Sequence, residues 1–182
     1  MNRGRFKMSN VKKTVISALC VAMCVVLPMA FHAIPEAGNV CSPMHIPVLL
    51  CGLLCGPLYG LLCGIAGPVL STFLTGMPPV AYLPSMLAEL AVYGIVTGVM
   101  MRLVRTEKKY LAVYASLLTA MLSGRVVAGI LRAYVLAPGT YSVKVWITSY
   151  FITSWPGIVI HLILVPTVYF AVKKSNVLTG NL

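Results

Sequence analysis

The chain contains no aspartate and only three glutamates, Glu36, Glu89 and Glu107, in 182 residues. That scarcity argues against aspartate-dependent metal hydrolysis and against phosphoryl transfer, which rely on carboxylates to hold metal ions. The six cysteines include no Cys-x-x-Cys, so neither a zinc site nor a disulfide framework is indicated. There is no Gly-x-x-x-x-Gly-Lys to cradle a triphosphate, so ATP hydrolysis by this chain itself is not expected. Charged residues of both signs amount to 9%, against 59% hydrophobic residues. With so little charge, the chain reads as one integral membrane domain rather than a soluble one.

What the sequence does have is a long uncharged stretch, Met44 to Pro79, punctuated by Gly52, Gly56, Gly60 and Gly64. Glycines four residues apart share one face of a helix, where the missing side chain lets another helix come close. Pro57 directly after Gly56 marks a stop and a restart, because proline suits the first turn of a new helix. An unbroken helix over residues 46–75 would be about 45 Å long, well beyond a ~30 Å hydrocarbon core. Split at Gly56-Pro57, the first piece is only about 16 Å, a half-length helix that needs protein around its ends. The other apolar spans are 14–33, 81–101, 110–136 and 145–172, so the hairpin brings the total to six crossings.

The basic residues test that count. Arg3, Arg5, Lys7, Lys12 and Lys13 precede the first span. Arg102, Arg105, Lys108 and Lys109 separate the fourth from the fifth, and Lys173 and Lys174 follow the sixth. Six crossings place all of these on one side and leave only Lys144 in a loop on the other. Five would divide them. The positive-inside rule therefore favours six, with both termini cytoplasmic. The expected fold is an all-α bundle of six transmembrane helices with a short second helix. Residues 1–12 form a basic cytoplasmic N-terminus, 13–174 the bundle and 175–182 a cytoplasmic tail. The net charge of +11 is explained by contact with anionic inner-leaflet lipid rather than nucleic acid. The basic start before an apolar run imitates a signal peptide, but no small-x-small site follows Met29, so it reads as a retained first helix.

Cys20, Cys24, Cys51, Cys55 and Cys63 fall inside spans and read as small packing residues, with Cys41 in an outer loop. That loop, residues 32–43, contains Pro35, Gly38 and Pro43 and is either a lid over a cavity or a plain connector. Met44-His45-Ile46-Pro47 resembles the first four residues of nickel and cobalt uptake subunits, in which the terminal amine and the histidine bind metal. Here the tetrapeptide is internal and the amine is an amide, so His45 reads as an interfacial side chain or part of a cavity rim.

Candidate binding residues follow from intramembrane polarity. Glu89 lies about 12 Å below the outer end of its span, where a carboxylate needs a partner or a polar cavity. Arg125 and Arg132 on the fifth span sit roughly 16 Å and 6 Å deep and bracket it. A structural ion pair is one reading. An arginine facing an anionic solute is the other, because a pair with one arginine leaves the second without an acidic partner in the membrane. Tyr93, Asn39, His45, Tyr150 and Trp155 complete the candidate set, with Tyr150 and Trp155 offering surfaces on which a ligand could stack. His161 reads as a packing histidine on the inner side, far from His45, and no histidine is expected at the depth of Glu89. Ala18 and Ala22, one turn apart on the first helix, make a shallow groove for another helix, inside the bundle or outside it.

With the Ala18-x-x-x-Ala22 face, the six spans and the short second helix, residues 12–174 resemble the substrate-binding S component of an energy-coupling factor (ECF) vitamin transporter. The Met-His-Ile-Pro, Gly-Pro and Gly-Met-Pro-Pro hairpin is similar to that of a pantothenate-type subgroup. The resemblance implies an outward-opening ligand cavity, no catalytic residues and no cofactor. It also implies a transmembrane T component docked on Ala18 and Ala22, two cytoplasmic ATPase subunits, and delivery by toppling of the loaded protein in the membrane. A carboxylate-bearing vitamin suits the spare arginine. Two rival classes remain open at this point: a self-contained secondary transporter or channel, which lacks matched broken helices, and a membrane enzyme, which lacks a nucleophile and base at one depth.

Overall fold

A computed structural model describes residues 8–30, 40–104 and 106–175 of the chain. Every regular element among them is helical. Helix α1 spans Asn10–Ala30, α2 His45–Cys55, α3 Pro57–Thr75, α4 Leu83–Leu103 and α5 Lys109–Leu131. A π-helical turn, Arg132–Leu136, extends α5. The sixth pass is composite: α6 (Val143–Ile147), a π-helical stretch (Thr148–Thr153) and α7 (Trp155–Lys174). Five helical passes are long and apolar enough to cross a bilayer, and α2 is the shorter sixth.

The hairpin expected at Gly56 is present. Gly56 has φ +97°, a conformation that favours glycine, and Pro57 opens α3. Around this turn α2 and α3 run antiparallel, with the Cys51 thiol donating to the Tyr59 carbonyl. Helix α2 is buried on every side: His45, Val48, Leu49, Cys51, Leu53 and Cys55 are all in the interior. A helix that is apolar all round belongs in a core, and this one is enclosed by α1, α3, α4 and α7.

The glycine face meets α4. A methyl group on Gly60 would overlap the Gly94 carbonyl, and one on Gly64 would overlap the Leu90 carbonyl. Gly98 in turn lies on the backbone of Gly56 and Pro57. In hydrocarbon, where apolar side chains gain nothing from leaving lipid, such close backbone packing is what holds helices together.

One end of the bundle collects the basic residues. The Cys55 thiol reaches the Lys13 carbonyl, the Arg102 guanidinium lies over Gly56, and Lys109 lies beside Lys173. The turn at Gly76 (φ +73°) therefore falls at the opposite end, as six crossings require. The outer surface is apolar, with Phe73 83% and Leu58 64% exposed, which suits a lipid environment.

The sixth pass departs from the single helix expected over 145–172. Pro156 stands at the start of α7, lacks an N–H, and its ring conflicts with the carbonyl four residues earlier. The chain accommodates this by widening into the π-helical stretch before it.

Candidate functional site

Four residues of α4 recur at intervals of four, Ser85, Glu89, Tyr93 and Thr97, and all are buried. They form one polar stripe along the helix. Thr97 satisfies itself by donating to the Tyr93 carbonyl at 2.7 Å. The upper three face α5 and α2, and the site is built there.

The Tyr93 hydroxyl is its centre. Arg125 Nε donates to it at 3.2 Å, and it donates to Glu89 Oε1 at 2.9 Å. Gly124 on α5 leaves the space that the Tyr93 ring fills. Glu89 Oε1 also faces His45 Nε2 at 3.5 Å. The His45 ring stacks on His161, with centroids 5.6 Å apart and planes 19° apart, and meets Tyr93 edge-on at 5.2 Å. The expected histidine geometry is therefore corrected: a histidine does lie at the depth of Glu89, and His161 lies beside His45. The physical reason is that α2 begins inside the bundle, so His45 is 5% exposed rather than interfacial.

The carboxylate and Arg125 are joined through the tyrosine hydroxyl. Arg125 also donates through Nη1 to the Tyr150 carbonyl and lies 5.4 Å from the Phe151 ring centre. The π-helical turn brings that carbonyl within reach, and the Ser154 hydroxyl donates to it as well, at 2.6 Å. Trp146 packs on Gly129 and donates from Nε1 to the Arg125 carbonyl at 3.0 Å. Arg125 thus ties α5 to α4 and to the sixth pass.

Arg132 is different. It is half-buried, donates from Nε to the Ser85 hydroxyl at 3.3 Å, and lies between two rings, Tyr82 at 4.8 Å and Tyr141 at 6.0 Å. Among the described residues no carboxylate contacts it. The Tyr141 hydroxyl is buried beside Arg132, and among the described residues no acceptor takes its proton. Burial pushes the Tyr141 phenol up, so its oxygen keeps its proton at neutral pH and stays a donor. A charged fork beside a spare hydroxyl donor is chemistry suited to an anion.

The structure brings together Glu89, Tyr93, Arg125, His45 and the Tyr150 backbone, with Arg132 one layer further toward the Gly76 end. Trp155 takes no part in these contacts and is 61% exposed at the start of α7. Asn39 lies outside the described residues, as does most of the 32–43 loop. Ala18 and Ala22 lie on the outward face of α1 together with Val15, Leu19 and Val26, so they do not pack inside this bundle. Ser85, Tyr82, Tyr141 and His161 are additions to the expected set. The i, i+4 spacing of Ser85, Glu89 and Tyr93 was the signal for Ser85; nothing local announced Tyr141.

Comparison with known proteins decides the class. The profile of the ECF transporter substrate-specific component matches residues 12–169, most of the chain. The chain belongs to this family. No curated protein and no solved structure gives a significant match. As an ECF substrate-specific component the chain is a multi-pass protein of the cell membrane and a transporter subunit, not an enzyme, and the membrane-enzyme reading falls. Such a component binds a small molecule and associates with a T component and ATPase subunits.

Proposed function

We propose that this substrate-specific component captures a small carboxylate-bearing, vitamin-like solute from outside the cell and passes it inward by toppling against its T component. The observation that carries the reading is Arg132, held by Ser85 and flanked by Tyr82 and Tyr141 with no carboxylate of the described chain against it. In an apolar bundle a guanidinium without an acidic partner is costly, and a ligand carboxylate supplies the missing charge through two parallel hydrogen bonds. The Tyr141 hydroxyl adds a third donor. Glu89, Tyr93, Arg125, His45 and Tyr150 form the floor beneath, with Arg125 linked to Glu89 through the Tyr93 hydroxyl. A pantothenate-type acid, with hydroxyl and amide groups beyond its carboxylate, suits such a polar floor.

The basic end faces the cytoplasm by the positive-inside rule, so Arg132 and the Gly76 turn face outward. Docking uses the shallow strip of Ala18 and Ala22, on which a partner helix can approach α1 closely. An apolar exterior suits tilting in the bilayer, since few charged groups would cross hydrocarbon.

Co-expression with a T component and its two ATPases tests the docking part. Wild type should co-purify with them, whereas Ala18→Trp with Ala22→Trp should be purified alone while remaining folded. Full retention of the T component by the double variant removes this face from the interface.

A further inference from the structure

Two imidazoles of the buried cluster meet at one backbone atom. The Ser42 carbonyl, which takes the His45 backbone N–H at 3.0 Å, also faces His45 Nδ1 at 3.1 Å and His161 Nε2 at 3.2 Å. A carbonyl oxygen only accepts, so both of these nitrogens carry hydrogen. That assignment fixes the rest of each ring. His45 Nε2 faces Glu89 Oε1, and His161 Nδ1 is buried with no partner.

Glu89 Oε1 already accepts from the Tyr93 hydroxyl, whose oxygen receives Arg125 Nε–H. One proton must lie between His45 Nε2 and Glu89, because without it two lone pairs would face each other. With that proton, Arg125, Glu89 and His45 carry one positive charge in total. His161, stacked on His45, is then neutral. A second proton on His161 would set a buried cation against that positive cluster, opposed by both His45 and Arg125.

The Val40–Met44 segment rests on these rings. Gly157 lets its backbone lie directly on α7, since a methyl group there would come within 2.6 Å of the Val40 carbonyl and 3.1 Å of the Cys41 carbonyl. Ser42 has φ +45°, a conformation that L side chains rarely adopt, and it is held there while its carbonyl serves both histidines.

We propose that His45, Glu89 and His161 form a proton-binding site that latches the Val40–Met44 segment to α7, closed with one shared proton and released when His161 takes a second. The other titratable or charged groups around the pair are Cys41 of the segment, Cys24 of α1 (3.7 Å from the Met44 carbonyl), Tyr93 of α4, Arg125 of α5 and Tyr150 before α7. None of these is an anion that could offset a second cation, and Glu89 is already committed to His45 and Tyr93.

The test needs no transported ligand, so its outcome is independent of the transport reading. Cys41 is half-buried while the five other thiols are buried. Its modification by dithiodipyridine, located by peptide mass spectrometry on the purified full-length protein, reports release of the segment. Each rate is divided by that of a cysteine peptide at the same pH, which cancels intrinsic thiol reactivity. The normalised wild-type rate should rise as pH falls from about 8 to about 5, by up to about tenfold per pH unit where one proton is taken up. His161→Gln, which keeps a donor but cannot take up a proton, should be slow and flat. His161→Phe, which keeps a ring but has no donor, should be fast and flat. A flat wild-type profile overturns the proposal even if neither variant folds, as does a Gln variant that follows wild type or a Phe variant that stays slow.

Discussion

The carbonyl of Gly94 lies against the backbone of Gly60, so closely that neither position has room for a methyl group. This contact locks α3 to α4 and sets the height at which Glu89 and Tyr93 face α2. Gly94→Ala is expected to cost about 1–3 kcal/mol through overpacking, and Gly94→Leu to prevent stable insertion of the hairpin. Thermal unfolding in detergent, followed by circular dichroism, measures the first. Unchanged unfolding of Gly94→Ala would show that the two helices are not this close.

Tyr93 carries the link between a buried cation and a buried anion. Removing its hydroxyl in Tyr93→Phe keeps the ring against Gly124 but leaves Arg125 Nε and Glu89 each short of a partner. The expected cost is roughly 1–3 kcal/mol. In a double-mutant cycle with Glu89→Ala, the coupling should be about 0.5–3 kcal/mol, since the two side chains share one hydrogen bond. Additive effects within error would mean that the bond contributes nothing.

The chain's orientation is tested by labelling. With Cys41 replaced by serine, a cysteine introduced at Met77, in the turn opposite the basic end, should react with a membrane-impermeant maleimide added to intact cells. One at Thr106, between α4 and α5, should react only after permeabilisation. The reverse pattern would invert the positive-inside assignment.

Much of this was legible from the chain itself. The four-residue glycine interval, the Gly56-Pro57 break and the basic clusters settled the hairpin and the crossing number, because each reflects a local rule of backbone or charge. Arg125 and Arg132 stand out as intramembrane cations for the same reason. The convergence of His45, Glu89 and His161 was not legible. A histidine directly after a loop reads as interfacial, but α2 starts inside the bundle, which carries His45 to Glu89 and onto His161. Similarly, a stacking role for Trp155 presumes an unbroken sixth helix, whereas Pro156 is preceded by a π-helical stretch and Trp155 is exposed. The role of Tyr141 depends on loop geometry that periodicity does not report.

The exposed Ala18 and Ala22 allow a clean separation of folding from docking. Bulky substitutions on an exposed face of α1 should change stability by no more than about 0.5 kcal/mol. The double tryptophan variant should therefore unfold at the wild-type temperature. A large fall would mean that the face packs within the protein.

The most direct measurement is native mass spectrometry of the detergent-purified protein, comparing wild type with Arg132→Ala. Wild type should retain a small organic acid. The variant should retain it with roughly 10- to 150-fold lower occupancy-derived affinity, the loss of a charged hydrogen bond worth about 1.5–3 kcal/mol. Equal retention by the two proteins, or a retained molecule with no acidic group, would contradict an anion-binding role for Arg132.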